Sequence, residues 1–239
     1  VGAGGSGHAG SSSSSLAHRR TFFSFPSPDE MRREFMSPDR AATSAAIIAN
    51  VGVYAATAVN RRLFMALVQH NGLVHAGEWW RLATAPFCHG SLLHLAGNML
   101  AVHWLGPQLE HVAGRTMFVA VYAGGALGGG LAHLWLTSGG SYVLGSSGAI
   151  AGLFAGFVVY KLRNRHHVGW TQHDTQWVLQ MVAINALLGV ALSGQLAHMA
   201  HIGGLVGGAA AMFLLGPRYV WVGGRVEDRP LLPLFRGWP

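Results

Sequence analysis

Between Ser91 and Leu215 the chain carries only two acidic residues, Glu110 and Asp174. A soluble domain devotes roughly a quarter of its residues to charge; here the figure is 10%, against 51% apolar. So little polar surface does not suit water, and it places the chain in a bilayer. There every backbone N–H and C=O must find a partner within protein, so helices do the spanning. The 34 glycines suit helices that pack closely in lipid.

Apolar stretches of spanning length lie at about 42–59, 92–109, 117–136, 147–162, 177–193 and 197–215. Some fall short of the roughly 20 residues a single span needs, so shortened or partly submerged helices are expected. The segment 60–90 mixes apolar residues with Arg61, Arg62, Glu78, Trp79, Trp80 and Arg81, and reads as an interfacial loop with a Trp/Arg anchor. Six spans put both termini on one side. That side holds eleven Lys or Arg from Arg32 to Arg236, and the opposite side holds Arg61, Arg62 and Arg81. The positive-inside rule then places the termini in the cytosol, stroma or matrix. The net charge of +7 is therefore a topology signal, not a nucleic-acid surface. Cys88, the single cysteine, excludes an internal disulfide and reads as a packed small residue.

The first 28 or so residues are rich in Gly, Ser and Ala, with Arg19 and Arg20 and no acid before Asp29. They read as an organelle transit peptide or a disordered tail. The expected organisation is a transit peptide and disordered region over 1–41, a membrane domain over 42–216 and a C-terminal tail over 217–239.

With the termini inside, spans two, four and six all begin at the outer face. Near those beginnings lie His94 and Asn98, then Ser147 in Gly145-Ser146-Ser147-Gly148, then His201 in Ala200-His201-Ile202-Gly203-Gly204. The polar groups thus agree in depth, where lipid tolerates them only inside protein or a wet cavity. His94 and Asn98, four apart, share a helix face. A helix start at Ser147 presents free N–H groups that favour an oxyanion. Small residues at Gly148, Gly152 and Gly156, and at Gly204 and Gly208, let two helices pack nearly backbone to backbone. That contact would carry His201 towards Ser147. No carboxylate is available at that depth, so serine chemistry here is a Ser147–His201 dyad. His94, Asn98 and the Ser147 N–H are the expected oxyanion donors. His198 lies nearer water and is the weaker base. His89, His103, His111 and His133 read as interfacial or packing residues.

These residues resemble the rhomboid family of intramembrane serine proteases. Trp80-Arg81 resembles its Trp-Arg loop motif, and the stretch from His89 to Asn98 its His-rich segment ending in His-x-x-x-Asn. Gly145-Ser146-Ser147-Gly148 matches the nucleophile motif, and Ala200 to Gly204, with Gly208 beyond, is similar to the catalytic His helix. The resemblance implies an all-α, six-transmembrane-helix bundle that cleaves transmembrane-helix substrates, with no metal or cofactor. It assigns Ser147 as nucleophile, His201 as base, and His94 and Asn98 to the oxyanion. A rhomboid-like protein that binds transmembrane partners without cleaving them is the alternative. Bacterial relatives often have an aromatic residue four places after the nucleophile, where this chain has Ala151. The stretch Glu78 to Thr84 and the tail from Gly216 resemble plant and algal plastid forms. With the leader, they point to the chloroplast inner envelope first and the mitochondrial inner membrane second.

Overall fold

The computed structural model describes residues 27–191 and 198–234. The leader expected over the first 28 residues thus lies almost wholly outside the described residues, as does Arg236. Residues 1–34 and 35–239 form two separate units. In the first, the described structure is helix α1 (Pro28–Phe35), whose last residue opens the second unit.

A 3-10 turn at Pro38–Arg40 leads into α2 (Ala41–Val59). The segment 60–90 is a chain of short pieces: α3 (Arg61–Leu67), β1 (Gln69–His70), α4 (Asn71–His75), α5 (Arg81–Thr84) and a 3-10 turn at Ala85–Phe87. Two long helices follow, α6 (Leu92–Ala113) and α7 (Arg115–Leu136), then β2 (Tyr142–Val143) and α8 (Ser147–Arg163). After the short α9 (Arg165–Val168) come α10 (Gln172–Ala191), α11 (His198–Leu215) and the hairpin β3 (Tyr219–Val222) and β4 (Arg225–Asp228). The fold is mostly helical, with two small antiparallel pairs, β1–β2 and β3–β4.

Wherever the structure describes them, the six expected apolar stretches are helical, in α2, α6, α7, α8, α10 and α11. Among the described residues three helices are long and apolar enough to cross a membrane by length and composition: Pro38–Val59, Arg115–Leu136 and His198–Leu215. The others have visible reasons for falling short. In α6 the polar residues His94, Asn98, His103 and Glu110 dilute the hydropathy, α8 has only 17 residues, and α10 opens on Gln172, His173 and Asp174. Six spans therefore do not follow from length and composition alone.

The centre is a three-helix contact of α7, α8 and α11 made almost without side chains. Gly128 of α7 meets Gly203 and Gly207 of α11, Gly125 of α7 meets Gly152 of α8, and Gly204 and Gly208 of α11 lie on Gly148 and Gly152 of α8. A Cβ at Gly125 would come within 2.8 Å of the Gly152 Cα, closer than packed atoms allow. The two glycine faces expected on α8 and α11 do meet, and α7 supplies a third that the spacing argument did not include. Larger apolar side chains pack around this seam, among them Val102, Leu105, Leu109, Phe118, Val121 and Leu153.

Both acids between Ser91 and Leu215 have structural partners. Glu110 is buried against the start of α2, where its carboxylate accepts from the Ala42 N–H (2.9 Å), the Thr43 N–H (2.8 Å) and the Thr43 hydroxyl (2.8 Å). It caps a helix N-terminus that has no side-chain cap of its own. Asp174 pairs with Lys161 at 2.8 Å, both side chains less than a tenth exposed, and accepts from the Thr171 N–H and hydroxyl at 2.7 Å. Lys161 is fourteen residues along α8 from Ser147, or roughly 21 Å at 1.5 Å per residue. Glu110 lies sixteen residues along α6 from His94, or about 24 Å. Neither acid is placed to complete a triad.

Candidate active site

Ser147 is the first residue of α8, and the chain reaches it through a tight turn at Gly145, whose φ of +99° is in the region that favours glycine. The Gly145 N–H is tied to the Ala85 carbonyl at 3.0 Å. The first helical bond at this end runs from the Ile150 N–H to the Ser146 carbonyl at 2.9 Å. The N–H groups of Ser147, Gly148 and Ala149 therefore precede any i−4 partner and point out of the helix start.

The His94 ring packs against that turn. A Cβ added at Gly145 would stand 2.7 Å from His94 Nε2 and 3.3 Å from Asn98 Nδ2, so the glycine is what lets both side chains reach the nucleophile's turn. The Ser91 hydroxyl starts α6 by accepting from the His94 N–H at 3.1 Å. His94 and Asn98 are therefore both presented at Gly145.

Ser147 and His201 line one cavity of about 270 Å³, together with Ile150, Ala151, Phe154, Met181, Val182 and Leu205. Among the described residues the two are not hydrogen-bonded to each other. Such contacts commonly tighten only when substrate binds. No hydrogen bond or ring contact with another described residue holds the His201 imidazole. Ala151, one turn below Ser147, lines the same cavity but offers the imidazole no ring to stack on. His198, at the start of α11, is exposed.

His89, expected to be a packing or interfacial residue, is buried inside this cluster. Its Nδ1 lies 3.3 Å from the Phe87 carbonyl and its Nε2 lies 3.0 Å from Asn98 Nδ2. A carbonyl can only accept, so Nδ1 carries the proton and Nε2 accepts from the Asn98 amide. This fixes which way the Asn98 amide faces. Burial first, then the nearby His94, pushes the His89 imidazole down to about 4, so it stays neutral. Helix periodicity gave no sign of this role, because His89 precedes the Ser91 cap and shares no helix face with Asn98.

The segment 60–90 also differs from the expected interfacial anchor. Trp79 and Trp80 are exposed, but Arg81 is buried. Arg81 donates to the Met65 and Val68 carbonyls at 2.7 and 2.6 Å and pairs with Glu78 at 2.6 Å. Asn71 donates to the His133 carbonyl, the Thr137 hydroxyl and the Ser141 hydroxyl at 3.0–3.2 Å, and Gln69 donates to the Gly130 carbonyl at 3.0 Å. With the β1–β2 pairing of Gln69 to Val143 and His70 to Tyr142, these bonds brace the end of α7 and the approach to Ser147. Cys88, in the same region, is fully buried, and burial raises its thiol to about 11, as expected for a packing residue.

Residues 76–218, more than half of the chain, match the Rhomboid domain. The chain belongs to the rhomboid family. It is similar to YdcA of Bacillus subtilis (strain 168), with 33% identity over 139 residues, 58% of this chain and 68% of that protein. It is 33% identical over 148 residues to the rhomboid protease GluP of the same organism, covering 62% of this chain and 28% of GluP. RHOMBOID-like protein 5 of Arabidopsis thaliana is 33% identical over 156 residues, 63% of this chain and 49% of that protein. The chain thus spans about two thirds of YdcA and half or less of the other two. Rhomboid membership and the apolar helices together make it an integral membrane protein.

Proposed function

We propose that this rhomboid is an intramembrane serine endopeptidase in which Ser147 and His201 form the dyad. The observation that carries the reading is the shared cavity, since nucleophile and base face one space on helices joined backbone to backbone. His201 takes the Ser147 hydroxyl proton as Oγ bonds to the substrate carbonyl carbon. The oxyanion is met by the Ser147 N–H and by Asn98 and His94 beside Gly145, each key donor contributing roughly 3–4 kcal/mol. His201 then returns the proton to the leaving amine as the C–N bond breaks, and water releases the acyl group by the same route.

The proposed domain runs over 42–216 with six spans, after a leader and disordered region over 1–41 and before a tail over 217–239. At 17 residues α8 is about 26 Å long, less than the roughly 30 Å of hydrocarbon. With Lys161 and Arg163 at the inner surface, Ser147 then sits below the outer one. Substrates are transmembrane helices that unwind near their outer ends. The chloroplast inner envelope is the proposed location and the mitochondrial inner membrane the alternative, distinguished by import of the full-length precursor into each organelle.

The test is cleavage of a transmembrane reporter in proteoliposomes, together with labelling by a fluorophosphonate. Ser147→Ala and His201→Ala are each expected to abolish cleavage, and Ser147→Ala to abolish labelling. Cleavage that survives in Ser147→Ala protein would overturn the mechanism. A protein that folds, binds transmembrane helices and takes no label would instead be a non-catalytic relative.

A further inference from the structure

We propose that the end of α8, the short α9 and the β3–β4 hairpin form a binding site for the headgroup of an anionic phospholipid, with its phosphate taken by Arg165 and Arg218. The site lies beyond the protease reading and uses neither Ser147 nor His201. Gly204 lies on Gly148 and Gly208 on Gly152, so α8 and α11 run side by side in one direction. They end together, at Arg163 and Leu215, and the chain that leaves each meets at one surface of the bilayer.

One buried side chain gathers the charge there. Asn164, between α8 and α9, donates to the Pro217 carbonyl at 2.9 Å and accepts from the Tyr219 N–H at 2.8 Å. Arg163 and Arg165 adjoin Asn164, and Arg218 sits between the two residues it holds. Arg163 is engaged within the fold, lying over the Phe213 ring at 5.1 Å and donating to the Phe213 carbonyl. Arg165 and Arg218 are exposed, and among the described residues neither forms an ion pair. Lys161 and Arg229, by contrast, are paired with Asp174 and Glu227. Asp228 accepts from the Arg218 backbone N–H at 2.7 Å, which sets a single carboxylate beside three arginines. Like charges fixed this closely repel one another, and an anion between them relieves the repulsion. The planar guanidinium fork matches two phosphate oxygens at once.

The apolar neighbours make that anion part of a lipid. Trp221 is 68% exposed, and Val226, its cross-strand partner, is 48% exposed. Trp170 and Leu162 are exposed on the same stretch as Arg165. The His167 ring lies 6.3 Å from Tyr219 and 6.4 Å from Trp221, which ties the hairpin's aromatic side chains to α9. Tryptophan settles at the headgroup level of a bilayer, one end apolar and the other wet. Free phosphate has use only for the arginines. A phospholipid fills both parts, with its phosphate on the guanidinium groups and its glycerol and upper acyl chain against Trp221 and Val226.

The experiment follows the melting temperature of the full chain in neutral detergent as short-chain phosphatidylglycerol is added, since a ligand of the folded state raises it according to its affinity. Short-chain phosphatidylcholine and inorganic phosphate are titrated in parallel. Phosphatidylglycerol is expected to raise the melting temperature saturably, and the other two to leave it unchanged. Each arginine removed should weaken the affinity by about 5-fold, so Arg165→Gln with Arg218→Gln loses about 30-fold. Arg62→Gln, an exposed arginine of the 60–90 segment, should bind as wild type does. High salt should weaken the wild-type affinity, a readout that needs no variant to fold. Equal shifts with both lipids, or an affinity that high salt leaves unchanged, would overturn the site. So would a double variant that melts normally without lipid and binds phosphatidylglycerol as wild type does. The same shift with inorganic phosphate would make it a free-anion site and overturn the lipid as occupant. None of these readouts involves cleavage, so the site and the protease reading fail separately.

Discussion

His89 acts on the proposed reaction through Asn98, whose amide it orients, and through an edge-on ring contact with His94 at 5.0 Å, which makes it a positioning residue. His89→Phe keeps an aromatic ring in a buried site but removes the acceptor that orients the amide. The expected result is a kcat about 10- to 100-fold lower with KM little changed, since an oxyanion donor acts in the transition state. His89→Gln, which again offers an acceptor, should recover part of the loss, as a purely structural role would not. The pH behaviour follows from the same burial. The ordinary histidine value is 6.5 and the folded value is about 4, so the unfolded chain binds the proton more readily between them. The stability this neutral imidazole contributes is complete above about pH 6.5 and is lost as pH falls towards 4. Thermal melts of wild-type and His89→Phe protein across that range should differ in slope, and parallel curves would refute the neutral buried ring.

At the scale of elements, glycine carries the contacts that side chains make in most folds. Gly204→Ala would drive its Cβ into the Gly148 backbone, whereas a Cβ at Gly52 in α2 meets nothing within 4 Å. The first change should destabilise by about 1–3 kcal/mol through overpacking, and Gly52→Ala should be neutral or mildly stabilising; unfolding in detergent compares them. The Lys161–Asp174 pair fastens the start of α10 to the end of α8. Burial alone would raise the Asp174 carboxyl, but the hydrogen bonds from Lys161 and Thr171 outweigh it and hold it below the usual carboxylate range. Its contribution is therefore present above the ordinary carboxylate value and lost as pH falls through the folded one. Asp174→Asn leaves a buried ammonium without its partner and should cost about 3 kcal/mol or more, read as a lowered melting temperature. The helices and the α8–α11 glycine contact were legible in the sequence because apolar runs and four-residue small spacing have fixed geometric meaning. The α7 face was missed because Gly124, Gly125, Gly128, Gly129 and Gly130 are too dense to indicate one face. His89 and Asn71 were missed because their partners are distant in sequence, joined only by the fold.

For the whole molecule, the charge distribution and the helix order make a joint statement about sidedness. Cysteines introduced one at a time at Arg61 and at Arg165, both exposed, are expected to react with a membrane-impermeant maleimide from opposite faces of a sealed vesicle. Reaction from the same face would remove the six-span topology. The brace formed by Arg81, Gln69 and Asn71 implies that the segment 60–90 moves little, so a crosslink between β1 and β2 should leave turnover intact if substrate enters elsewhere. Both experiments benefit from Cys88. Its thiol is fully buried and its ionisation is suppressed, so the 239-residue chain carries a single, silent sulfur of this kind. Spin labels or fluorophores can be installed at chosen surface positions without first building a cysteine-free background.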